Sequence, residues 1–253
     1  MKITLVHNTL EYQADLSAPI DLSISLGQVR CFYAPPVKMT PYVSGDFIGS
    51  VKKGAPVNFY NVELNPHGNG THTECLGHVT KKQESVNKAV KQYHYLAQVV
   101  TVGLTSRGKS DKVITLKSIK TNCPKELPEA LVIRTKPNRV SKKTMDYSDT
   151  NPPYLDKKAM QFLVDKGVKH LLIDLPSVDR EVDKGVLASH HIFWKVGEGY
   201  KKSEARGDCT ITEMIFVDNK VKDGLYLLNL QTAPLELDAT PSRPTLYKLT
   251  KKI

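Results

Sequence analysis

The sequence predicts a strand-rich α/β fold, a mixed sheet within one domain spanning residues 1–253, on three observations. Seven short runs rich in Val, Ile, Leu, Tyr and Thr, bounded by Gly, Pro or Asn, read as strands: 2–6, 57–64, 95–104, 130–134, 168–175, 209–217 and 225–230. One segment, 155–166, carries a clear helical pattern: Leu155, Met160, Phe162 and Leu163 can share an apolar face, and Gly167 is placed to end it. A weaker helix is read at 81–90. The order strand 130–134, helix 155–166, strand 168–175 is a β-α-β crossover, which favours parallel pairing of the two strands. Two polar stretches, 136–153 and 195–208, read as loops of a length that is usually functional or mobile.

A chain of 253 residues buries a sizeable core without staples. No apolar run nears the roughly 20 residues needed to span a bilayer. The opening MKITLVHNTLEY holds no signal-peptide core, so a cytoplasmic location and no membrane partner are expected. The net charge is +10, from 36 basic against 26 acidic residues. Lys supplies 29 of the 36, scattered along the chain, and no basic stretch alternates with aromatics. Readers of nucleic acid rely on Arg forks and stacking rings, so the charge is read as surface solubility and no nucleic-acid partner is expected. Cys31, Cys75, Cys123 and Cys209 form no C-x-x-C pair, which argues against a Cys-only zinc knuckle, and no secretory signal accompanies them to support a disulfide framework. Cys75 is read as a small buried filler ahead of a nucleophile.

Three of the eight histidines, His67, His72 and His78, fall within NPHGNGTHTECLGHV, with Glu74 between the last two. On an extended chain positions 72 and 74 point to one face, and Gly68, Gly70 and Gly77 let the backbone bring His78 back toward it. Converging imidazoles and carboxylates are what borderline cations such as Zn²⁺ or Mn²⁺ require. A second constellation lies downstream: His190 and His191 in LASHHIFW, and Glu213 in CTITEMIFV, where Ile211, Glu213, Ile215 and Val217 share one face of a strand. An unpaired carboxylate buried among such neighbours costs several kcal/mol. Either the strand is an edge with Glu213 in water, or a cation or histidine partners it. His7, His94 and His170 have no companion ligands nearby and are read as structural.

These segments resemble the metal-dependent cyclase family, which includes bacterial kynurenine formamidases and isatin hydrolases. GTHTECLGH (70–78) is similar to the family's His-x-Gly-Thr-His-x-Asp-x-Pro-x-His signature. DLSAPI (15–20), ALVIRT (130–135), HLLIDLPSVD (170–179), SHHIFW (189–194), ITEM (211–214) and APLELDATPSRP (233–244) follow in the family's order. The resemblance implies a swivelling β/β/α fold, a centre of one or two divalent ions, usually zinc or manganese, and a homodimer or homotetramer. It implies that His72 and Glu74 are metal ligands, that His78 and Glu213 belong to the second metal position or its rim, and that His190 is a ligand or a catalytic acid/base. His190 is preferred to His191 because the following Ile-Phe-Trp matches the family's apolar residues.

Departures mark a divergent branch. The family's first His falls on Gly68, and His67 is one residue early; either a bulge brings His67 in, or Asn69 or water takes that place. Glu74 replaces Asp, Leu76 replaces Pro, and the interval from His190 to Glu213 is long. The activity implied is hydrolysis of an amide-type C–N bond in a small-molecule N-formyl or cyclic amide by metal-activated water. His78, His190 and Glu213 are the candidate catalytic groups; His67, His72, Glu74, His78, His190 and Glu213 are the candidate ligands. Asp179 and Ser177 are expected to brace the loop before His190, and Arg243 to pair with a substrate carboxylate, Asp238 or Glu236. A metal-binding sensor or carrier on the same fold is the alternative.

Overall fold

The computed structural model describes residues 1–197 and 201–252. Its centre is a nine-stranded mixed sheet in the order Ala239–Pro241, His72–Glu74, Thr210–Glu213, His170–Ile173, Ala130–Lys136, His94–Gly103, Gly224–Asn229, Thr245–Lys248, Ile20–Asp21. The middle four, from Thr210–Glu213 to His94–Gly103, are mutually parallel, and antiparallel strands flank them on both sides. The β-α-β unit of the sequence is present: Ala130–Lys136 pairs in parallel with His170–Ile173. Its helix runs Lys157–Asp165, with the Asp156 side chain accepting from the Ala159 N–H at 2.8 Å.

Both faces of the parallel strands are buried, which is why they read as continuous apolar runs. Leu131, Ile133, Leu171 and Ile173 point into one core, under the Lys157–Asp165 helix and a second helix at Ala188–Trp194. Ala130, Val132 and Leu172 point to the other, with Tyr226 and Leu228. The 209–217 run needs a correction. Its strand stops at Glu213, because Met214 takes a left-handed φ of 51°. Ile211 lies in the first core, while Ile215 and Val217 lie in the second. The weak helix at 81–90 shrinks to Val86–Ala89, capped by the Ser85 side chain. The 57–64 run is a strand only at Tyr60–Glu63, and all four residues are exposed. Part of the 195–208 loop, residues 198–200, lies outside the described residues; beside it Arg206 donates to the Phe193 carbonyl at 2.7 Å. No helix among the described residues is long and apolar enough to cross a membrane.

His170 is structural, as read. Its Nδ1 is 2.9 Å from Thr210 Oγ1, and its ring lies 4.1 Å from that of Tyr95. Burial pushes its pKa down to about 4. Below pH about 6.5 the unfolded chain binds a proton that the folded chain refuses until about pH 4. The stabilisation is complete above 6.5 and is lost as pH falls toward 4, about 3 kcal/mol at full extent. Urea unfolding at pH 7 and pH 4.5 checks this: His170→Gln, which keeps a hydrogen-bonding side chain and cannot titrate, is expected to lose less stability over that interval than the wild type.

Candidate metal centre

The strand His72–Glu74 lies inside the sheet, antiparallel to Thr210–Glu213 on one side and to Ala239–Pro241 on the other. The register sets Glu213 opposite His72, the closest cross-strand position available. Glu213 therefore faces neither water nor a sheet edge. It is buried, with Oε1 accepting from the Val178 N–H at 2.9 Å and Oε2 3.5 Å from His72 Nε2. Thr73, between the two candidate ligands, points to the other face, where its hydroxyl meets Thr212 Oγ1 at 2.8 Å.

His78 arrives on the short turn Leu76–Val79 that follows the strand. The turn needs Gly77: a Cβ there would lie 2.1 Å from the Glu84 carbonyl oxygen. Leu76, where the family has Pro, packs into the first core. Cys75 is the filler expected. It is buried against Val86, Ala89 and Val90, its Sγ is 3.2 Å from the Glu84 carbonyl oxygen, and burial pushes the thiol up to about 12.

The position of the early histidine is resolved by packing. A Cβ at Gly68 would sit 2.2 Å from the Ala34 Cβ, so no side chain fits there. Asn69 turns away, donating to the Pro35 carbonyl at 2.9 Å and accepting from the Asn65 N–H at 2.7 Å. His67 enters instead, with Nδ1 3.2 Å from Glu74 Oε2. The longer Glu74 arm thus meets an imidazole that begins one residue earlier than the signature places it.

His190 comes from the helix Ala188–Trp194, whose N-terminus has no cap of its own; the preceding Leu187 is left-handed, at φ 43°. Asp179 supplies the cap from a distance. Its carboxylate accepts from the N–H groups of Ser189 (2.8 Å) and His190 (3.1 Å), and contacts His190 Nδ1 at 2.7 Å. The expected brace is thus a direct orienter. Ser177 accepts from the Asp179 N–H at 3.1 Å. His190 Nε2 is left facing Glu74 Oε1 at 3.0 Å and Glu213 Oε1 at 3.7 Å.

Asp238 is the residue the sequence reading missed. It lies 2.9 Å from His67 Nε2 and 3.3 Å from His78 Nδ1. The backbone carries it there: Cys75 N–H donates to the Asp238 carbonyl and Val86 N–H to that of Leu237. Arg243 is elsewhere, paired with Asp21 at 2.7 Å.

Every imidazole is thus fixed at one nitrogen and presents the other inward. His72 gives its Nδ1 to the Gly70 carbonyl (3.1 Å), His190 its Nδ1 to Asp179, His78 its Nδ1 to Asp238, and His67 its Nε2 to the same Asp238 carboxylate. This is the support that metal-binding histidines receive. Burial favours a neutral Glu74, but the imidazoles of His78 and His190 outweigh it and hold the carboxyl well below its usual range. Burial likewise opposes charge on His190 and His67; Glu74 and Asp179 hold His190 well above the usual histidine value, and Asp238 and Glu74 lift His67 to about 10.

Even so, His72 Nε2, His190 Nε2 and both oxygens of Glu74 are buried without a well-directed hydrogen bond. Their spacings to neighbouring ligand atoms run from 3.0 to 4.0 Å, a range that includes the roughly 3.3 Å between ligands around an ion with bonds of about 2.0–2.1 Å. Two groups of donor atoms share Glu74: His72, Glu74 and Glu213, all buried, and His67, Glu74 and His78, nearer the surface. The residues present fit a divalent cation. A cavity of about 440 Å³, lined by His67, His78, His190 and Glu213 and further out by Phe32 and Arg180, opens onto the cluster. Asp179→Asn is expected to misorient His190 and weaken divalent-metal affinity by about 10–100-fold, which equilibrium dialysis against zinc would measure.

Fold and site together define an α/β protein with a buried histidine–carboxylate cluster at the end of a cavity. Residues 15–180 match the family described as "Putative cyclase", and the chain belongs to that cyclase family. Among solved structures it is similar to a novel cyclase (TM-score 0.64, 14% identity, covering 93% of this chain and 90% of that one). It is also similar to an isatin hydrolase bound to the product analogue thioisatinate (0.61, 13%, 92% of each). A third is a predicted metal-dependent hydrolase from Bacillus stearothermophilus (0.58, 18%, 91% and 98%). No curated protein matches the sequence.

Proposed function

We infer that this chain is a metal-dependent amidohydrolase that cleaves the C–N bond of an N-formyl or cyclic amide, with zinc or manganese as the ion. The observation that carries the reading is the set of buried, unbonded atoms on His72, Glu74 and His190, aimed at one another beside a cavity. Membership of the cyclase family and the names of the solved neighbours support it. In this reading His72, Glu74, His190 and Glu213 are the inner ligands, and His67 with Glu74 completes a second position. These residues would hold the ion, which would supply a water of pKa lowered toward 7 and a polarised carbonyl group.

The protein's own groups do the rest. His190 is a ligand rather than a proton carrier, because its Nε2 is buried between two carboxylates. His78 is the proton carrier. It is the more exposed imidazole, it lines the cavity, and its Nε2 keeps 4.0 Å from Glu74 while Asp238 steadies Nδ1. It delivers a proton to the departing nitrogen, leaving a carboxylate and an amine. Glu213, anchored by the Val178 N–H, keeps its second oxygen toward His72.

Elemental analysis of the purified protein, His72→Ala and Glu74→Ala tests the reading. The wild type is expected to carry bound divalent metal and both variants to lose it; two variants with the wild-type load would reject the site. Assays against N-formyl aromatic amides, lactams and isatin-like rings test the reaction. Inertness toward all of them with metal intact would favour the sensor or carrier.

A further inference from the structure

A second cavity, of about 800 Å³, has Asp179 and Ser189 in its wall. Arg180 and Asp183 border both it and the cavity of the metal centre, but none of the candidate ligands lines it. Five cationic side chains surround it: Arg107, Lys117, Lys157, Lys158 and Arg180. Its carboxylates are already engaged. Asp156 accepts from Arg107 and from the Ala159 N–H, both at 2.8 Å. Asp179 accepts from the Ser189 N–H and holds His190. Asp183 accepts from the N–H groups of Gly185 (2.8 Å) and Leu187 (2.6 Å). Arg180 is engaged as well, with Asp111 at 3.2 Å and the Val182 carbonyl at 2.8 Å. The lysines are not. Lys117 stands in the first turn of the helix Leu116–Asn122, and Lys157 and Lys158 in the first turn of Lys157–Asp165. All three are exposed, and their side chains form no ion pair or hydrogen bond among the described residues.

We propose that this cavity is a second ligand site, for a small organic anion with an apolar body. What it lacks is negative charge: unpaired ammonium groups from two helices border one hollow, and a cleft lined by one sign of charge gathers counter-ions. Both arginines already pair with aspartates. Recognition therefore falls to lysine point charges, which accept a compact anionic head group of any shape rather than a planar one. Leu116, Leu155, Val186 and Ala188 supply an apolar wall between the charges. Val186 is 55% exposed, and only a ligand with hydrocarbon to offer gains by covering it. An inorganic anion would leave that wall wet. The volume falls within the roughly 300–1,000 Å³ of small-molecule sites.

Titration calorimetry with naphthalene-1-sulfonate, whose head group is a poor metal ligand, gives the test. The wild type is expected to bind one molecule per chain, and 1-naphthol or sulfate alone at least about 10-fold more weakly, since each lacks one half of the recognition. Lys117→Glu and Lys158→Glu are each expected to weaken the sulfonate about 10-fold. Acidic residues suit the first turn of a helix, so both variants should fold, which far-UV circular dichroism verifies. Lys248→Glu makes the same charge change at an exposed lysine outside the cavity and is expected to leave binding as it was. No saturable binding, full binding in both cavity variants, or an equal loss in Lys248→Glu would overturn the proposal. So would sulfate binding as tightly as the sulfonate. The titration is repeated after a chelator has removed divalent ions. Binding that persists keeps the ligand in this cavity, and binding that disappears would move it to the metal centre and overturn the assignment. The outcome is thus independent of the hydrolase reading, which stands or falls on metal content and turnover.

Discussion

His78→Asn is expected to keep the wild-type metal content and lose about 100- to 10,000-fold in kcat, the range a positioned general acid or base contributes. The split between metal and turnover is the informative part. A ligand's loss removes both, whereas the loss of a proton carrier removes turnover alone. Of the three imidazoles that contact Glu74, His78 stands farthest from it, at 4.0 Å against 3.2 Å for His67 and 3.0 Å for His190, and Asp238 gives it a fixed orientation without burying it. Elemental analysis beside steady-state kinetics makes the check. Metal lost along with activity would move His78 into the ligand set and leave the proton-transfer role vacant.

Gly68→Ala is expected to destabilise the protein by about 3 kcal/mol, at the upper end of usual overpacking costs. The new methyl would meet the Ala34 Cβ at 2.2 Å and the Cys31 carbonyl oxygen at 3.2 Å. Ala34→Gly in the same chain is expected to restore part of the loss, which chemical denaturation of the single and double variants would measure. Placing histidine at position 68, as in the family's signature, is expected to damage the site for the same reason. In this chain His67, not position 68, brings an imidazole to Glu74, at 3.2 Å.

The parts of this protein that were legible in the sequence are those whose cause is local. The crossover helix announced itself through its apolar spacing and the Gly167 stop, and the parallel strands through runs buried on both faces. His72 and Glu74 were legible because alternation on a strand fixes their common face. The helix carrying His190 was not read as a helix, because its cap comes from Asp179 and not from the residue before it. Asp238 was missed as a site residue because the histidines it steadies are 171 and 160 positions away. The end of the Thr210–Glu213 strand turns on a left-handed Met214, for which the apolar run through position 217 gave no sign. The choice between His67 and Asn69 rested on a collision with Ala34 that appears only in three dimensions.

The strand His72–Glu74 is laced to a neighbour on each side. A rim strand can peel away by itself, but this one detaches only when the sheet around it parts. Its amide protons should therefore exchange with deuterium among the slowest in the molecule, on the timescale of global unfolding. His67 and His78 hang from turns on the cavity side. Whatever the cluster holds would thus enter and escape past those two rings, and the inner half would stay assembled after the outer half has let go.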